Sequence, residues 1–503
     1  MKQRYFWALV IAALVNFSIL PGQDVTASNA AAPSTTLKRE FRGAWIATVA
    51  NLDWPPSPGM DPDAQRLQLT FLLDQLSAAG FNAVVFQVRT ECDAMYNSPY
   101  EPWSFWLTGS QGTPSSPFYD PLEFAVSEAH KRGMEIHAWF NPYRAERIVG
   151  SYPLAGNHVT VQHPSWAIQI GTFKFLNPGL QEVRDHVAMV VADIARRYDI
   201  DGVHADDYFY PSPPNQITFQ DSATFSAFPK GFTNIGDWRR NNVNLLIRRI
   251  SDSVKAIKPL AKFGMSPAGI WKNGVPLGTS GQDNYSVLYC DAIAWLQGKY
   301  IDYIAPQLYW TFGGGQDYAK LQPWWADSAN ASGRHLYTGN ATYRINSGVN
   351  PFNPSEIPNQ INYNRGNPKV QGSIQFRANN VRDNLGGISD LLRTDVFLYP
   401  SIIPTMNWKP DLTPPNSPTS LGSMNPAPNS YALQWSAPSP AGDGDTASRY
   451  VVYRFKTSTP LQADRDKPRN LVSLTGGTTA TPLSMVDSAG VQYYYAAAAL
   501  DRN

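Results

Sequence analysis

The sequence predicts an α/β fold, a (β/α)8 TIM barrel followed by a small all-β sandwich. Three observations carry this. From about residue 38, short apolar strands alternate with amphipathic helices through eight repeats. Near Met406 the chain becomes Pro-rich and then continues as short strands without helical stretches. The loop after the first strand, Ala50-Asn-Leu-Asp-Trp-Pro-Pro-Ser57, has no Gly-rich phosphate fingerprint, which argues against a doubly wound open sheet, the runner-up.

The elements follow in order. The first strand spans residues 41–49. Asp63 is placed to cap the helix that follows, in which Leu69, Leu72, Leu73 and Leu76 form a stripe of helical period; Ala79-Gly80 ends it. The second strand is 81–89. Strands three to eight are expected at 135–141, 202–207, 262–266, 303–309, 336–341 and 372–377. Asn177-Pro178 is expected to start a helix striped by Val183, Val187, Val190, Val191 and Ile194. Asp237 is expected to cap one carrying Val243, Leu246, Ile247, Ile250 and Val254 on one face.

Four regions result: a leader with a short linker at 1–33, the barrel at 34–408, a Pro-rich linker at 409–418 and the sandwich at 419–503. In the leader, Lys2 and Arg4 precede an apolar run over residues 5–20, broken by Pro21-Gly22 and followed by small residues. This is the pattern of a signal peptide. Export to the periplasm or the exterior of a bacterial cell is therefore expected, without integral membrane association once the leader is removed. Residues 431–435, 450–454 and 491–498 read as sandwich strands. They resemble a fibronectin type III-like module, with Trp435 as the early-strand core aromatic. One more strand would be expected, so the module reads either as incomplete or as using an unusual edge.

Composition narrows the function. A formal net charge of +1 gives no electrostatic case for nucleic acid as a partner. The chain carries 15 Trp, 25 Tyr and 23 Phe, side chains that either pack large cores or stack on the apolar faces of sugar rings. Cys92 and Cys290 read as separate buried thiols. Neither Cys/His spacing nor any phosphate-binding loop is present, so no metal or cofactor is expected.

Strand alternation sorts the barrel residues into two faces. Ile136, Ala138 and Phe140 should face the helices, and Glu135, His137, Trp139 and Asn141 the interior. The same rule turns Val203 and Ala205 outward and His204 and Asp206 inward. It turns Val84, Phe86 and Val88 outward and Gln87, Arg89 and Glu91 inward. In strand six it sends Ile304, Pro306 and Leu308 out and Gln307 and Tyr309 in. In strand eight it sends Ile374 and Phe376 out and Gln375 and Arg377 in. Polar groups thus converge on the C-terminal end, where barrels of this type place their sites. Carboxylates, amides and aromatics together suit glycoside cleavage, in which one carboxyl protonates the leaving oxygen and a second group acts at the anomeric carbon.

Several segments resemble the glycosyl-hydrolase-like family 10 proteins. They are Phe41-Arg-Gly-Ala-Trp-Ile-Ala-Thr-Val49, Gln87-Val-Arg89 with Cys92-Asp-Ala-Met-Tyr96, His137-Ala-Trp-Phe-Asn-Pro-Tyr-Arg144, Asp201-Gly-Val-His-Ala-Asp-Asp-Tyr-Phe-Tyr-Pro211, Gly264-Met-Ser-Pro267 and Pro306-Gln-Leu-Tyr-Trp310. The resemblance implies a TIM barrel that hydrolyses glycan strands of the bacterial envelope, with peptidoglycan or a related N-acetylated polysaccharide as substrate.

The catalytic candidates are Asp206 first, then Asp207, with Asp93 and Glu91 as sources of a second carboxyl. Asp207 would need a bend to reach the same face. His137, Asn141, Arg144, His204, Tyr208, Gln307, Tyr309, Trp310, Trp54 and Arg89 are the expected substrate-binding residues; Trp103 and Trp271 are further stacking candidates. Asp201 and Asp206 fit the Asp-Gly-x-x-x-Asp pattern of sugar-cleaving barrels. Tyr208 stands where chitinase-like barrels have Glu, and strand five ends in Met265-Ser-Pro-Ala without the usual acid. These departures motivate the alternative, a non-catalytic carbohydrate-binding protein on an enzyme-like barrel. A surface adhesin using the sandwich would leave the polar interior unexplained.

Overall fold

The computed structural model describes residues 37–502, apart from 349, 412, 428–429, 484–489 and 491, together with residues 8–9. The remainder of the expected leader lies outside the described residues. Among them, no helix is long and apolar enough to cross a membrane.

Eight strands form a closed parallel barrel: β1 (Phe41–Ile46), β2 (Ala83–Arg89), β3 (Glu135–Phe140), β4 (Gly202–Ala205), β5 (Lys262–Met265), β6 (Tyr303–Ile304), β7 (His335–Ala341) and β8 (Gly372–Phe376). Each pairs with its neighbours in chain order, and β8 closes on β1 through Gly372 opposite Phe41. The principal helices outside it are α1 (Pro62–Ala78), α2 (Pro121–Lys131), α3 (Gln181–Arg197), α4 (Ile235–Ile257), α5 (Ala292–Gln297), α6 (Tyr318–Ala331), α7 (Glu356–Arg365) and α8 (Ala378–Arg382), one after each strand. The apolar stripes predicted on α1, α3 and α4 are buried.

The helix starts differ from expectation because the capping side chain stands outside the first turn. Asp61, not Asp63, caps α1, accepting from the amides of Asp63 and Ala64 at 2.9 and 3.2 Å, with Pro62 in the first turn. Asn234, not Asp237, caps α4, accepting from the Asp237 amide at 3.1 Å. Asn177 closes a tight turn onto the Gly179 amide, so α3 starts only at Gln181.

The predicted facing holds for β2, β3 and β4 at Val84, Phe86, Ile136, Ala138, Phe140, Val203 and Ala205, which join the core between barrel and helices. It inverts in β8. Ile374 and Phe376 point inward with Phe41, Trp45 and Tyr337, and Gln375 pairs with Ser373 instead. Gly43 on β1 provides the room, since a side chain there would meet Ile374 at 3.1 Å. Arg377 leaves the interior altogether and donates to the Leu52 carbonyl. The outer face is correspondingly polar beside β7. Thr338 and Asn340 bond to Gln360 and Asn364 of α7 and Tyr318 of α6. Outward does not mean apolar where a hydrogen-bonded network can form.

The barrel interior is closed by a polar chain that gives His137 and His204 structural roles. The Trp45 indole, a donor only, gives its Nε1–H to His204 Nε2 at 3.2 Å. His204 therefore carries its proton on Nδ1 and donates to the Tyr303 hydroxyl oxygen at 2.9 Å. Tyr303 donates to His137 Nδ1 at 2.7 Å, and His137 Nε2 donates to Glu135 at 3.2 Å. Burial holds His204 well below its ordinary pKa, so it stays neutral. Gly264 makes the arrangement possible, because an added Cβ would lie 1.9 Å from the Tyr303 ring. Both histidines have their ring nitrogens partnered inside the protein. Their expected role in substrate binding is corrected.

Within residues 419–502 two three-stranded antiparallel sheets face each other. One comprises Thr419–Ala427, Ser430–Ser436 and Thr479–Leu483; the other Arg449–Phe455, Leu471–Thr475 and Tyr494–Leu500. Trp435 packs edge-on to Tyr450 in their shared core, as the sequence suggested. The other face of the second sheet, with Val451, Tyr453 and Phe455, packs on Ile402. The sandwich thus docks at the N-terminal end of the barrel. There Arg449 reaches Glu135 at 2.9 Å, beside the Lys262–Glu135 pair at 2.5 Å.

Candidate active site

The chain bends where β4 ends at Ala205, and the bend brings two consecutive carboxylates to one place. Asp206 is 4% exposed. It accepts from Trp139 Nε1 at 3.0 Å and from Asn141 Nδ2 at 3.2 Å, both presented by the end of β3 and the turn after it. The Asn141 oxygen accepts from the Arg144 amide at 3.0 Å, so Asn141 is fixed in orientation and its donor faces the carboxylate. Burial raises the Asp206 pKa, opposed first by the Arg144 charge and then by the Trp139 bond. Asp207 is partly exposed. Burial and the neighbouring Asp206 charge push its pKa up to about 7, with Gln307 and Arg144 pulling partway back.

Aromatic side chains border this pair. Tyr208 is 44% exposed, with the Arg144 guanidinium 4.8 Å from its ring centroid. Tyr309 stacks on Phe376 at 6.0 Å, and Tyr343 meets both rings edge-on. Phe376 in turn meets Trp45 edge-on at 6.1 Å. Gln307, beyond the end of regular β6, pairs with Ala268 past the end of β5 and with Gly339 of β7, and donates to the Ser266 carbonyl at 3.1 Å. The structure therefore groups Asp206, Asp207, Asn141, Arg144, Tyr208, Gln307 and Tyr309. Sequence reasoning did not list Trp139, Phe376 or Tyr343 as site residues. Trp139 was legible from its inward phase. Phe376 was hidden by the inverted phase of β8, and Tyr343 by its position in a loop without periodicity.

The other candidates are held elsewhere. The pairing register slips between Gln87 and Arg89, and Arg89 turns to a buried two-point pair with Glu101 at 2.7 and 2.6 Å. Glu91 accepts from Trp106 Nε1 at 2.8 Å, the Tyr152 hydroxyl at 3.0 Å and the Arg147 amide at 2.5 Å. Asp93 closes a turn, accepting from Thr90 Oγ1 at 2.6 Å and the Glu91 amide at 3.0 Å. Trp54 is buried under α1, donating to the Gln65 carbonyl at 2.9 Å. Trp310 packs its half-buried ring over Gly269, against the outer core. Trp103 packs edge-on to Phe118, and Trp271 stacks on Trp324. Asp201 sits at the opposite end of β4, bonded to His130 at 2.8 Å, and is a positioning group there.

Cys92 and Cys290 are buried free thiols. The described acidic group whose oxygens could gather on a cation, Asp411, Asp443 and Asp445, belongs to the linker and sandwich. A cleft of about 850 Å³ opens between α2 and the sandwich turn at Thr475–Gly477, where no candidate residue stands.

The raised Asp207 pKa has a stability signature. The folded state keeps a proton that the unfolded chain releases near pH 4, so stability falls as pH rises from about 4 to about 7 and then levels off. Asp207→Asn removes that penalty. Its Tm should match wild type near pH 4, rise above it progressively up to about pH 7, and keep a constant lead beyond. A lead that does not grow with pH would show that Asp207 titrates normally.

A closed barrel with an aromatic-bordered carboxylate pair at the C-terminal strand ends has the site architecture of a carbohydrate-acting barrel. The sequence comparisons agree. The model of the glycosyl hydrolase-like 10 family matches residues 40–355, and the chain belongs to that family. It is 40% identical over 427 residues to glycosyl hydrolase YngK of Bacillus subtilis (strain 168), covering 83% of each chain. It is 38% identical over 380 residues to glycosyl hydrolase DigH of Escherichia coli (strain K12), covering 69% of this chain and 85% of that one. Among solved structures, the glycoside hydrolase domain of PgaB from Bordetella bronchiseptica aligns with a TM-score of 0.47 at 11% identity, over 72% of this chain and 99% of that one.

Proposed function

We propose that the protein is an exported glycosidase that hydrolyses N-acetylated glycan strands of the bacterial envelope, with peptidoglycan as the substrate class. The observation that carries this is the Asp206–Asp207 pair, two adjacent carboxyls with different environments. Asp207, neutral up to about pH 7, is suited to protonate the leaving glycosidic oxygen. Asp206, whose pKa burial raises and the Arg144 charge, Trp139 and Asn141 draw back, is oriented by those donors to stabilise positive charge developing at the sugar. With Glu91 and Asp93 bonded elsewhere, attack at the anomeric carbon falls to water or to the substrate's own N-acetyl oxygen. Tyr208 and Tyr343 offer exposed ring surface for stacking sugars. The fibronectin type III-like module and the boundaries at 408 and 419 belong to the same proposal. The leader pattern in residues 1–33 supports export.

Purified residues 34–503 should release soluble fragments with new reducing ends from peptide-stripped glycan strands, read by mass spectrometry. No release from such strands, chitin oligomers or other N-acetylated glycans would overturn hydrolysis. The second reading, glycan binding without turnover, is favoured by the missing acid at the end of β5, Met265-Ser-Pro-Ala. It would appear as saturable binding with no products.

A further inference from the structure

Behind the two loops that carry the carboxylate pair, three buried side chains hold polar atoms without a hydrogen-bond partner among the described residues. They are the Tyr143 hydroxyl, the Tyr210 hydroxyl and Asn242 Nδ2, on residues that are each 0% exposed. The fold brings them together. The Leu176 amide donates to the Tyr143 carbonyl at 2.8 Å, and the ring of the adjoining Phe175 meets Tyr210 edge-on at 6.1 Å, so both tyrosines flank the strand Phe173–Leu176. That strand leads through the turn at 177–179 into α3, whose Arg184 donates to the Pro178 carbonyl at 2.6 Å and to Asn242 Oδ1 of α4 at 3.2 Å. The Arg184 charge acts on both phenols, and the phenols act on each other.

The charge around these atoms is positive and unmatched. Arg184 is 1% exposed, and its remaining bond is to Gln181 Oε1 at 2.8 Å. Lys230 reaches in from the surface and donates to the same Asn242 oxygen at 2.7 Å. Among the described residues both cations therefore bond only to neutral oxygens. The neighbouring acids are engaged elsewhere, Asp185 by Gln181 and Arg249, and Asp221 by Arg239. Burial and the Arg184 charge push the Lys230 ammonium down to about 8. With its oxygen held by two cations, the Asn242 amide is fixed in orientation, and Nδ2 can only donate. Burial keeps both phenols protonated, so each has a hydrogen to give. A water would satisfy these donors and leave the two cations unmatched. An anion satisfies both. A place closed off from solvent suits a monovalent halide, which sheds its hydration shell at lower cost than a multiply charged oxyanion.

We infer that Tyr143, Tyr210, Asn242 and Arg184 bind a halide ion, chloride under ordinary conditions, behind the active-site loops. Tyr143 stands between Asn141 and Arg144, and Tyr210 lies three residues beyond Asp207. The ion thus joins the turn that orients Asp206 to the loop that carries both carboxyls. Halide binding here does not depend on which substrate those carboxyls meet, so it stands or falls apart from the glycan reading.

The full mature chain, crystallised with bromide in place of chloride, should show an anomalous difference peak within hydrogen-bonding distance of both hydroxyls and Asn242 Nδ2. In solution, exchanging gluconate for chloride at constant ionic strength should raise the melting temperature saturably, by about 2–4 °C at about 0.2 M. Tyr143→Phe combined with Tyr210→Phe keeps both rings, removes two donors and should abolish most of that rise. Arg184→Gln should abolish it as well. If Arg184→Gln does not fold, the phenylalanine pair still decides, and the bromide peak in the wild type needs no variant. A water at this position with no anomalous peak overturns the inference. So does a rise that survives in the folded variants. A bromide peak without a saturable rise in solution marks an adventitious ion only and overturns it too.

Discussion

Asp207→Asn is expected to lower turnover on glycan strands by about 10²-fold or more, the scale of a positioned general acid. The amide keeps the shape and cannot donate the proton that a carboxyl held up to about pH 7 supplies. In the wild type, kcat/KM should decline as pH rises through about 7, because Asp207 then enters the reaction already ionised. That decline should be missing from whatever activity Asp207→Asn retains. Asp206→Asn should cost a similar factor for a different reason. It removes the negative charge that Trp139 and Asn141 hold in place, and the alkaline decline should remain in the residual rate. Both variants should fold, read by melting curves. Near-wild-type turnover in either variant would remove that residue from the mechanism. A common pH profile in the two would overturn the division of roles. From sequence alone Asp206 outranks Asp207. The bend after Ala205 and the partial exposure of Asp207 give them equal standing.

The second large effect lies at the other end of the barrel. Glu135 is fully buried and accepts from Lys262 at 2.5 Å, Arg449 at 2.9 Å and His137 at 3.2 Å. Glu135→Gln keeps the volume and strands the Lys262 ammonium, itself 1% exposed. Loss of one partner of a buried ion pair costs about 3–5 kcal/mol, so the melting temperature should drop by several degrees. The Glu135 pKa is held well below the usual carboxylate range, its own burial being outweighed by Lys262 and Arg449. Its contribution to stability is therefore present at neutral pH and lost only as pH falls through that lowered value. The deficit of Glu135→Gln should persist at pH 5 and narrow in stronger acid. Adding Lys262→Met removes the stranded charge and should restore much of the loss. An unchanged melting temperature in Glu135→Gln would show that Lys262 and Arg449 do not depend on it. The same contacts revise what truncation does. Removing residues 410–503 leaves the residues of the Asp206–Asp207 face in the chain and should spare hydrolysis of small substrates. It also withdraws Arg449 from Glu135 and uncovers Ile402, so the remaining barrel should melt earlier even where each folded molecule still turns over.

The sequence by itself determined the barrel and the order of its parts. Helical and strand periodicities are local, and burial of one stripe or one face enforces them residue by residue. Hence Leu69 to Leu76, Val183 to Ile194 and the outer faces of β2 to β4 are buried as their spacing predicts. It also determined that Asp206, Asn141, Gln307 and Tyr309 converge, because they stand at or just beyond strand ends that any parallel barrel gathers on one face. What only the tertiary structure decided depends on partners far away in the chain. Arg89 leaves the expected site because Glu101 offers it a buried pair; His137 and His204 leave it because Tyr303 stands between them. Ile374 and Phe376 turn inward because Gly43 leaves space for Ile374 across the β8–β1 seam. Asp207 joins the site because the chain bends one residue beyond the end of β4, which a period-two pattern does not encode. Alternation states which residues share a face; packing and hydrogen-bond satisfaction decide which face is polar and which donor, as at Asn242, is left for a ligand.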